Sequence, residues 1–302
     1  MEYRYNYLNN FLKEKFGERT LKICIDGGFT CPNRDGKVGT GGCIFCGERG
    51  SGEHLKKEDI TKQVKDYLAS ERSKRAGKYI VYFQNFTNTY GEIDALKEKY
   101  DAALIDDRIV GLDIATRPDE INEEVVSLLK EYKEKYYVWV ELGLQTANDE
   151  TGKLINRGYN KDVFENAVKL LRKEEFDVVV HIMIGLPNET KEDIIATVNY
   201  LNDLDINGIK IHSTYVIKNT VLEKMYNEKE YNPISYEEYM DMLYYIITHL
   251  RKDIVIHRFS GDPPKEDLVA PTWMNHKKWI LNGLNKYMQD NNLYQGIYYN
   301  KK

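Results

Sequence analysis

Cysteine supplies the first chemical signal. The chain has four cysteines, all between residues 24 and 46. Cys31, Cys43 and Cys46 form a C-x11-C-x2-C pattern, and Cys24 stands ahead of it. The segment between them is mostly glycine and polar residues, so it has little to bury and must be ordered by something other than a hydrophobic core. Thiolates converging on a small object point to a metal centre, and three ligands rather than four point to an open coordination position. Several readings compete. A disulfide framework is ill suited to a long chain with no legible signal peptide. A structural zinc site needs a fourth donor, for which Cys24 or His54 is available. Chance clustering runs against the habit of free cysteines to sit singly in apolar strands. An iron–sulfur cluster with one free iron needs only the three.

Other polar residues gather at a few places. Gln84-Asn85-Phe86-Thr87-Asn88-Thr89 concentrates neutral hydrogen-bonding groups. Thr116-Arg117-Pro118-Asp119 follows, then Glu141-Leu142-Gly143-Leu144-Gln145-Thr146, and then Asn156-Arg157-Gly158. His181 precedes a Gly185-Leu186-Pro187-Asn188-Glu189-Thr190 segment, and His212 lies further on. Each has an ordinary structural reading. Thr116–Asp119 has a capped helix start as its lesser reading, and Thr190 with Asp193 forms a helix N-cap that is compatible with cofactor binding nearby. His181 and His212 read equally as hydrogen-bonded core residues. Glu141 resists this, because an unpaired carboxylate inside a fold costs several kcal/mol. A last cluster, His257-Arg258-Phe259-Ser260-Gly261-Asp262 with Ala270-Pro271-Thr272-Trp273, reads either as a site or as a strand–turn–helix joint with Trp273 in the core.

Elements of alternating type must position these residues. Periodicity predicts a helix over 3–16 and a strand over 21–26 leading into the cysteine loop. Helices over 57–75, 92–104, 119–133, 161–174 and 190–203 alternate with strands over 78–86, 108–114, 136–144, 177–184 and 207–215. Six strands, each with a helix, predict parallel βα units in one sheet. Six are too few for a full eight-stranded barrel, which predicts an open (β/α)6 partial TIM barrel with its chemistry at the C-terminal strand ends. Beyond residue 216 the pattern changes to a helix over 234–251, a strand over 253–259 and a helix over 273–290. The expected organisation is an N-terminal helix (1–20), a barrel (21–216) and a C-terminal α/β extension packed on it (217–302).

Composition sets outer limits. A hydrophobic content of 42% and a charged content of 30% belong to an ordinary globular chain. No apolar run approaches a membrane span, and the expected location is cytoplasmic. A net charge of −5 leaves room for a nucleic-acid partner only through a local basic patch. The candidates are Lys56, Lys57, Lys62, Arg72, Lys74, Arg75 and Lys78, and in the extension His276, Lys277 and Lys278. The first group is interleaved with acids and reads better as a solvated helix face.

Gly-Phe-Thr-Cys-Pro-Asn-Arg-Asp-Gly followed by Gly-Gly-Cys-Ile-Phe-Cys resembles the cluster loop of radical S-adenosylmethionine (SAM) enzymes. The match is to the long-spaced variant of the YtqA/YhcC-like branch, related to the Elp3-like core; Phe45 keeps the aromatic residue before the last cysteine. The resemblance implies the partial barrel, a [4Fe–4S] cluster on Cys31, Cys43 and Cys46, and SAM on its free iron. It implies reductive cleavage of SAM to methionine and a 5′-deoxyadenosyl radical. Gln84, Thr116, Glu141, Gln145, Arg157 and His181 become the candidate SAM-binding residues. In that assignment Arg157 pairs with the SAM carboxylate, Glu141 and Gln145 reach the ribose, and the Gly185 turn admits the adenine. The usual Gly-Gly-Glu after the second strand is replaced by Phe83-Gln84-Asn85. The branch also implies a tRNA wobble uridine as substrate and an electron donor such as flavodoxin or ferredoxin. In the extension, Phe259 and Trp273 are the expected stacking groups and His257, Arg258, Lys277 and Lys278 the expected phosphate contacts. The competing classes are a non-catalytic iron–sulfur or zinc protein, acting as electron carrier or binding module, and a radical SAM enzyme with a small-molecule or peptide substrate.

Overall fold

Strand cores are short runs of β-branched and aromatic residues, such as Val-Val-Val-His-Ile-Met-Ile over 178–184, each followed by helical periodicity. The computed structural model of the chain describes residues 4–50, 55 and 57–300. Helix α1 (Leu8–Phe16) precedes strand β1 (Thr20–Ile25). The alternation continues through α2 (Ile60–Ala69), β2 (Lys78–Phe83), α3 (Ile93–Asp101), β3 (Ile109–Thr116), α4 (Glu123–Lys133), β4 (Tyr137–Gln145), α5 (Asp149–Leu154), α6 (Lys161–Lys173), β5 (Asp177–Ile184), α7 (Lys191–Asp203) and β6 (Gly208–Ser213). The rest adds β7 (Val216–Ile217), α8 (Val221–Asn227), α9 (Tyr236–His249), β8 (Val255–Arg258), β9 (Leu268–Ala270) and α10 (Lys277–Asp290).

The main sheet is parallel throughout, in the order β1-β2-β3-β4-β5-β6-β8, and curls into part of a TIM barrel. It has seven strands where periodicity predicts six. The added strand, β8, comes from the extension and pairs with β6, Gly208 opposite Val255. A four-residue strand reached through a helical crossover carries no local mark of its partner. The ribbon of β7 against β9 is likewise too short for alternation to show. Helix α4 begins at Glu123, not 119, because Pro118–Glu120 form a 3-10 turn and Asn122 caps the helix on the Val125 amide.

The free edge of β8 is covered by both termini. The Ile256 amide donates to Asn6 O (2.7 Å), and the Gln295 amide group joins the Asn6 amide to Ile254 O. Helix α1 closes the lower end of the half-barrel, burying Leu8 and Leu12 against Ile80, Trp139, Val179 and Val255. The outer sheet face, under the helices, is aliphatic: Val81, Leu112, Ile114, Val140, Val180 and Ile209 are all fully buried. The inner face is not, and the site is built on it.

Candidate metal and cofactor site

The cysteine loop leaves the C-terminal end of β1. Its eleven-residue insertion between Cys31 and Cys43 folds back as a small turn, with Asp35 bridged to Thr40 and the Val38 amide bonded to Pro32 O. The insertion therefore returns the chain, so Cys43 comes back beside Cys31. Glycine is required where backbone and side chains crowd. Gly42 has φ +79°, and a Cβ there would stand 2.8 Å from Arg34 Nε. Arg34 uses that space to donate to Cys46 O (3.0 Å) and Gly47 O (2.6 Å). Asn33 donates to Asn156 O (2.6 Å), Asn156 returns a bond to Gly42 O (2.7 Å), and the Ile44 amide reaches Ile155 O (3.1 Å). Hydrogen bonds thus do the ordering that apolar burial does elsewhere, and they dock the loop on the end of α5.

Cys31, Cys43 and Cys46 border one cavity of about 200 Å3 at the C-terminal strand ends. In the free thiol state Cys43 is pushed well up by its contact with Cys46 and by burial, with Arg117 pulling the other way. Cys24 stands within β1, where burial pushes its thiol up, and it does not line the cavity. His54 lies outside the described residues. Among the described residues no three His, Cys, Asp or Glu side chains are grouped as donors to a single metal ion; the three cysteines ring a cavity instead. Three soft sulfur donors around a shared space, with no fourth protein donor grouped with them among the described residues, fit a [4Fe–4S] cluster with one open iron.

The same cavity is bordered by Gln84, Thr116, Glu141, Gln145 and His181. Gln145 sits at φ +63°, a left-handed conformation rare outside glycine, and its amide oxygen accepts from Tyr159 (3.2 Å). The Thr116 hydroxyl lies 2.6 Å from that of Thr89. His181 Nε2 donates to Glu141 Oε2 (2.8 Å).

Arg157 is not a cavity residue. It is fully buried, and its guanidinium is consumed within the fold: Leu144 O (2.6 Å), Thr146 O (2.8 Å), Tyr159 O (2.9 Å) and Asp149 Oδ1 (2.8 Å). It clamps the end of β4 to α5. Two guanidiniums do border the cavity: Arg34, spent on Cys46 O and Gly47 O, and Arg117, held by a bidentate pair with Asp119 and bonded to Arg157 O (2.9 Å). The strand-end position of Arg117 in Thr-Arg-Pro-Asp was the available signal, though that segment also has a reading as a helix cap. The Gly185 turn is also filled: its carbonyl accepts from Tyr231 (2.7 Å), and a Cβ at Gly185 would meet Ile234 at 2.9 Å.

Below the cavity the barrel interior holds a buried ionic network. Lys22 reaches Asp113 (2.5 Å) and Glu141 (3.1 Å), and Lys210 pairs with Glu141 and the Tyr82 hydroxyl (2.9 Å). Burial pushes the Glu141 carboxyl up, but Lys210, Lys22 and His181 together outweigh it and hold it well below the usual carboxylate range. Burial pulls the Lys210 ammonium down to about 8 against the upward pull of Glu141. The period-two placement of Lys22, Asp113, Glu141 and Lys210 within apolar strands was visible in the sequence; that they face one another was not.

A larger chamber of about 960 Å3 adjoins the first and shares Arg34, Cys46 and Ile217 with it. Its far wall is the Asp262–Asp267 segment with Met274 and Asn275. The groups expected to bind RNA in the extension are partly redeployed. Phe259 is buried and stacks on Tyr7 (5.6 Å), His257 lies inside the barrel, and the Trp273 indole donates to Ile234 O (3.1 Å) within the core. Arg258 pairs with Asp262 (3.4 Å), and Lys278 is exposed. Lys56 and the Lys277 side chain lie outside the described residues.

Comparison with known proteins places this geometry. The radical SAM superfamily pattern matches residues 33–201, and the radical SAM C-terminal domain matches 206–290. YtqA of Bacillus subtilis is 39% identical over 99% of this chain and 94% of its own length. YhcC of Escherichia coli is 32% identical over 94% of this chain and 92% of its own. A tRNA uridine(34) acetyltransferase of Methanocaldococcus infernus is 29% identical over 54% of this chain and 30% of that protein. The Elp3 structure from the same organism superposes with a TM-score of 0.68 at 20% identity, covering 91% of this chain and 64% of that one, a likeness of fold. Proteins of this family use a [4Fe–4S] cluster and SAM. Among the described residues no helix is long and apolar enough to cross a membrane. With three cysteines ringing a cavity at the strand ends of a partial barrel, and relatives matching nearly end to end, the chain belongs to the radical SAM superfamily, in the branch of YtqA and YhcC.

Proposed function

We propose that this radical SAM enzyme acts on the wobble uridine of tRNA. The observation that carries the reading is the 960 Å3 chamber opening beside Cys46, a volume suited to a nucleotide lifted out of its loop. Two features support it. Part of the chain is similar to tRNA uridine(34) acetyltransferases, although it spans under a third of their length, so acetyl transfer is not included. His276, which precedes α10, and Trp279 in its first turn lie stacked (4.1 Å) just after Asn275 of the chamber wall, and Trp279 is 53% exposed, which gives a base a face to stack on.

Bound SAM, reduced by one electron through the cluster, supplies a carbon radical able to take hydrogen from an unactivated C–H bond. The protein's own residues position and exclude water. Cys31, Cys43 and Cys46 are the ligands, Arg117 is the cation for the SAM carboxylate, and Gln84, Gln145 and Thr116 are polar contacts. The electron comes from a small carrier such as flavodoxin or ferredoxin. The test joins two measurements: nucleoside mass spectrometry of tRNA from a strain lacking the gene, and 5′-deoxyadenosine formation by the reconstituted enzyme on that tRNA. Normal wobble bases together with no RNA-stimulated turnover would overturn the reading and turn the search to small molecules or peptides.

A further inference from the structure

Three of the chain's six histidines stand on the three neighbouring strands at one side of the sheet: His181 on β5, His212 on β6 and His257 on β8. His212 borders the cofactor cavity, and its Nε2 is buried without a hydrogen-bond partner. Its ring lies 5.2 Å from that of His181, which is bonded to Glu141 Oε2. Beyond the same carboxylate, His257 Nδ1 stands 4.0 Å from Glu141 Oε1, also buried and without a hydrogen-bond partner. His257 borders a second cavity, of about 420 Å3, at the N-terminal strand ends, walled by Leu8 and Phe11 of α1 and by Asp177, Asp205 and Asp253. A titratable column therefore runs from one end of the barrel to the other. The ordinary filling for such a space is layers of branched aliphatic side chains, and two orphaned imidazole nitrogens are unexplained by packing.

We propose that His212 is the acid–base group of the candidate site, and that His181, Glu141 and His257 link it as a proton path to the lower cavity. The proposal rests on the reading above, in which the substrate enters from the 960 Å3 chamber and meets SAM in the adjoining cofactor cavity that His212 borders. It assigns a class of reaction: taking a hydrogen atom from carbon delivers no proton to a protein base, so the substrate must also gain or lose a proton at nitrogen, oxygen or an activated carbon. In the losing direction the proton passes to His212 Nε2, one moves through His181 and Glu141, and one leaves from His257 to water. No electron travels along the column. The path requires a bridging water between the His181 and His212 rings and another across the 4.0 Å from Glu141 Oε1 to His257 Nδ1.

Burial lowers all three imidazoles, so at neutral pH each carries one N–H and one lone pair, as a relay requires. Facing the column are Lys22 and Cys24 on β1, Tyr82 on β2 and Asp113 on β3. Lys210 on β6 and Arg258 on β8 complete the surround. Glu141 favours the imidazolium form of all three histidines.

The test has an arm that needs no substrate. Histidine C2–H exchange, followed by mass spectrometry on the cluster-loaded protein across pH, reads each imidazole separately. Added SAM should slow exchange at His212 and leave His257 unchanged. Glu141→Gln should move the titrations of His181, His212 and His257 together to lower pH. No protection of His212 by SAM removes it from the site; a shift confined to His181 breaks the path. The second arm uses tRNA lacking the modification. His212→Gln should lower product formation by about 10²-fold or more. His257→Gln, which leaves the ion pairs intact, should slow product formation, raise the solvent deuterium effect and be rescued by added imidazole. Wild-type rates and isotope effects in His257→Gln would overturn the path whatever the stability of Glu141→Gln. If the wild-type enzyme leaves that tRNA unchanged, the substrate reading fails, and the exchange arm still decides the column.

Discussion

The cysteine loop and the barrel interior below it are both polar, yet they are held by opposite means. Apart from Ile44 and Phe45 at its end, the loop buries little apolar surface and is tied through backbone carbonyls by the Arg34, Asn33 and Asn156 side chains. The interior is fixed by side-chain charges, with Lys22 and Lys210 locked between Asp113 and Glu141 on strands that cannot shift register. A loop held by several separate hydrogen bonds can lose one and keep its path. A buried ionic network cannot, because removing one partner strands the other in a low-dielectric space.

The largest difference should come from the ligands. Cys31→Ala, Cys43→Ala and Cys46→Ala should each abolish the cluster, seen as loss of the brown chromophore and of about four irons per chain, with the fold retained by circular dichroism. Cys24→Ala should keep the iron. Zinc in the isolated protein, with no iron uptake on reconstitution, would remove the cluster from the account.

Next, Glu141→Ala should destabilise the barrel by about 3–5 kcal/mol, the usual effect of breaking a buried ion pair, measured by urea unfolding. Adding Lys210→Met to Glu141→Gln should recover part of that loss, since fewer charges are then stranded. If the double variant is no better than the single ones, the network is not what holds the interior.

The two arginines separate binding from support. Arg117→Ala should weaken SAM binding by about 1.5–3 kcal/mol, the usual worth of a hydrogen bond to a charged group. Arg157→Ala should lower the unfolding midpoint because it frees Asp149 and three backbone carbonyls. Equal losses of SAM affinity in both would return Arg157 to the site.

The pH dependence is smaller and has a definite sign. The folded-state Glu141 carboxyl is held below its unfolded value, so its contribution is complete above about pH 4.3 and is lost as pH falls through the folded value. Denaturant midpoints should therefore drop on acidification in the wild type and fall less in Glu141→Gln.

The smallest effect contrasts two glycines of the loop. Gly41→Ala, at φ +82° with open space around it, should cost about 1–2 kcal/mol of local backbone strain and keep the iron. Gly42→Ala should cost more, because Arg34 must also move. Indistinguishable iron retention would mean that Arg34 does not tie the loop.

Much of this organisation was legible in the residues. Alternation of apolar runs and helical periodicity gave six strands of a parallel partial barrel, because periods of 2 and 3.6 are local properties. The three cysteines stood out by type and spacing, and Gln84, Thr116, Glu141, Gln145 and His181 by their strand-end positions; the fold brings them to one cavity. Tertiary structure alone decided the rest. It chose Arg117 over Arg157 as the cavity cation, because which guanidinium finds free carbonyls depends on how α5 docks on β4. It made β8 a seventh strand and turned His257, Phe259 and Trp273 inward, because partners far apart in sequence leave no local mark. It also paired Lys22, Asp113, Glu141 and Lys210. Each charge could be read on its own strand, but only the curl of the sheet brings four strands' inner faces within hydrogen-bond reach.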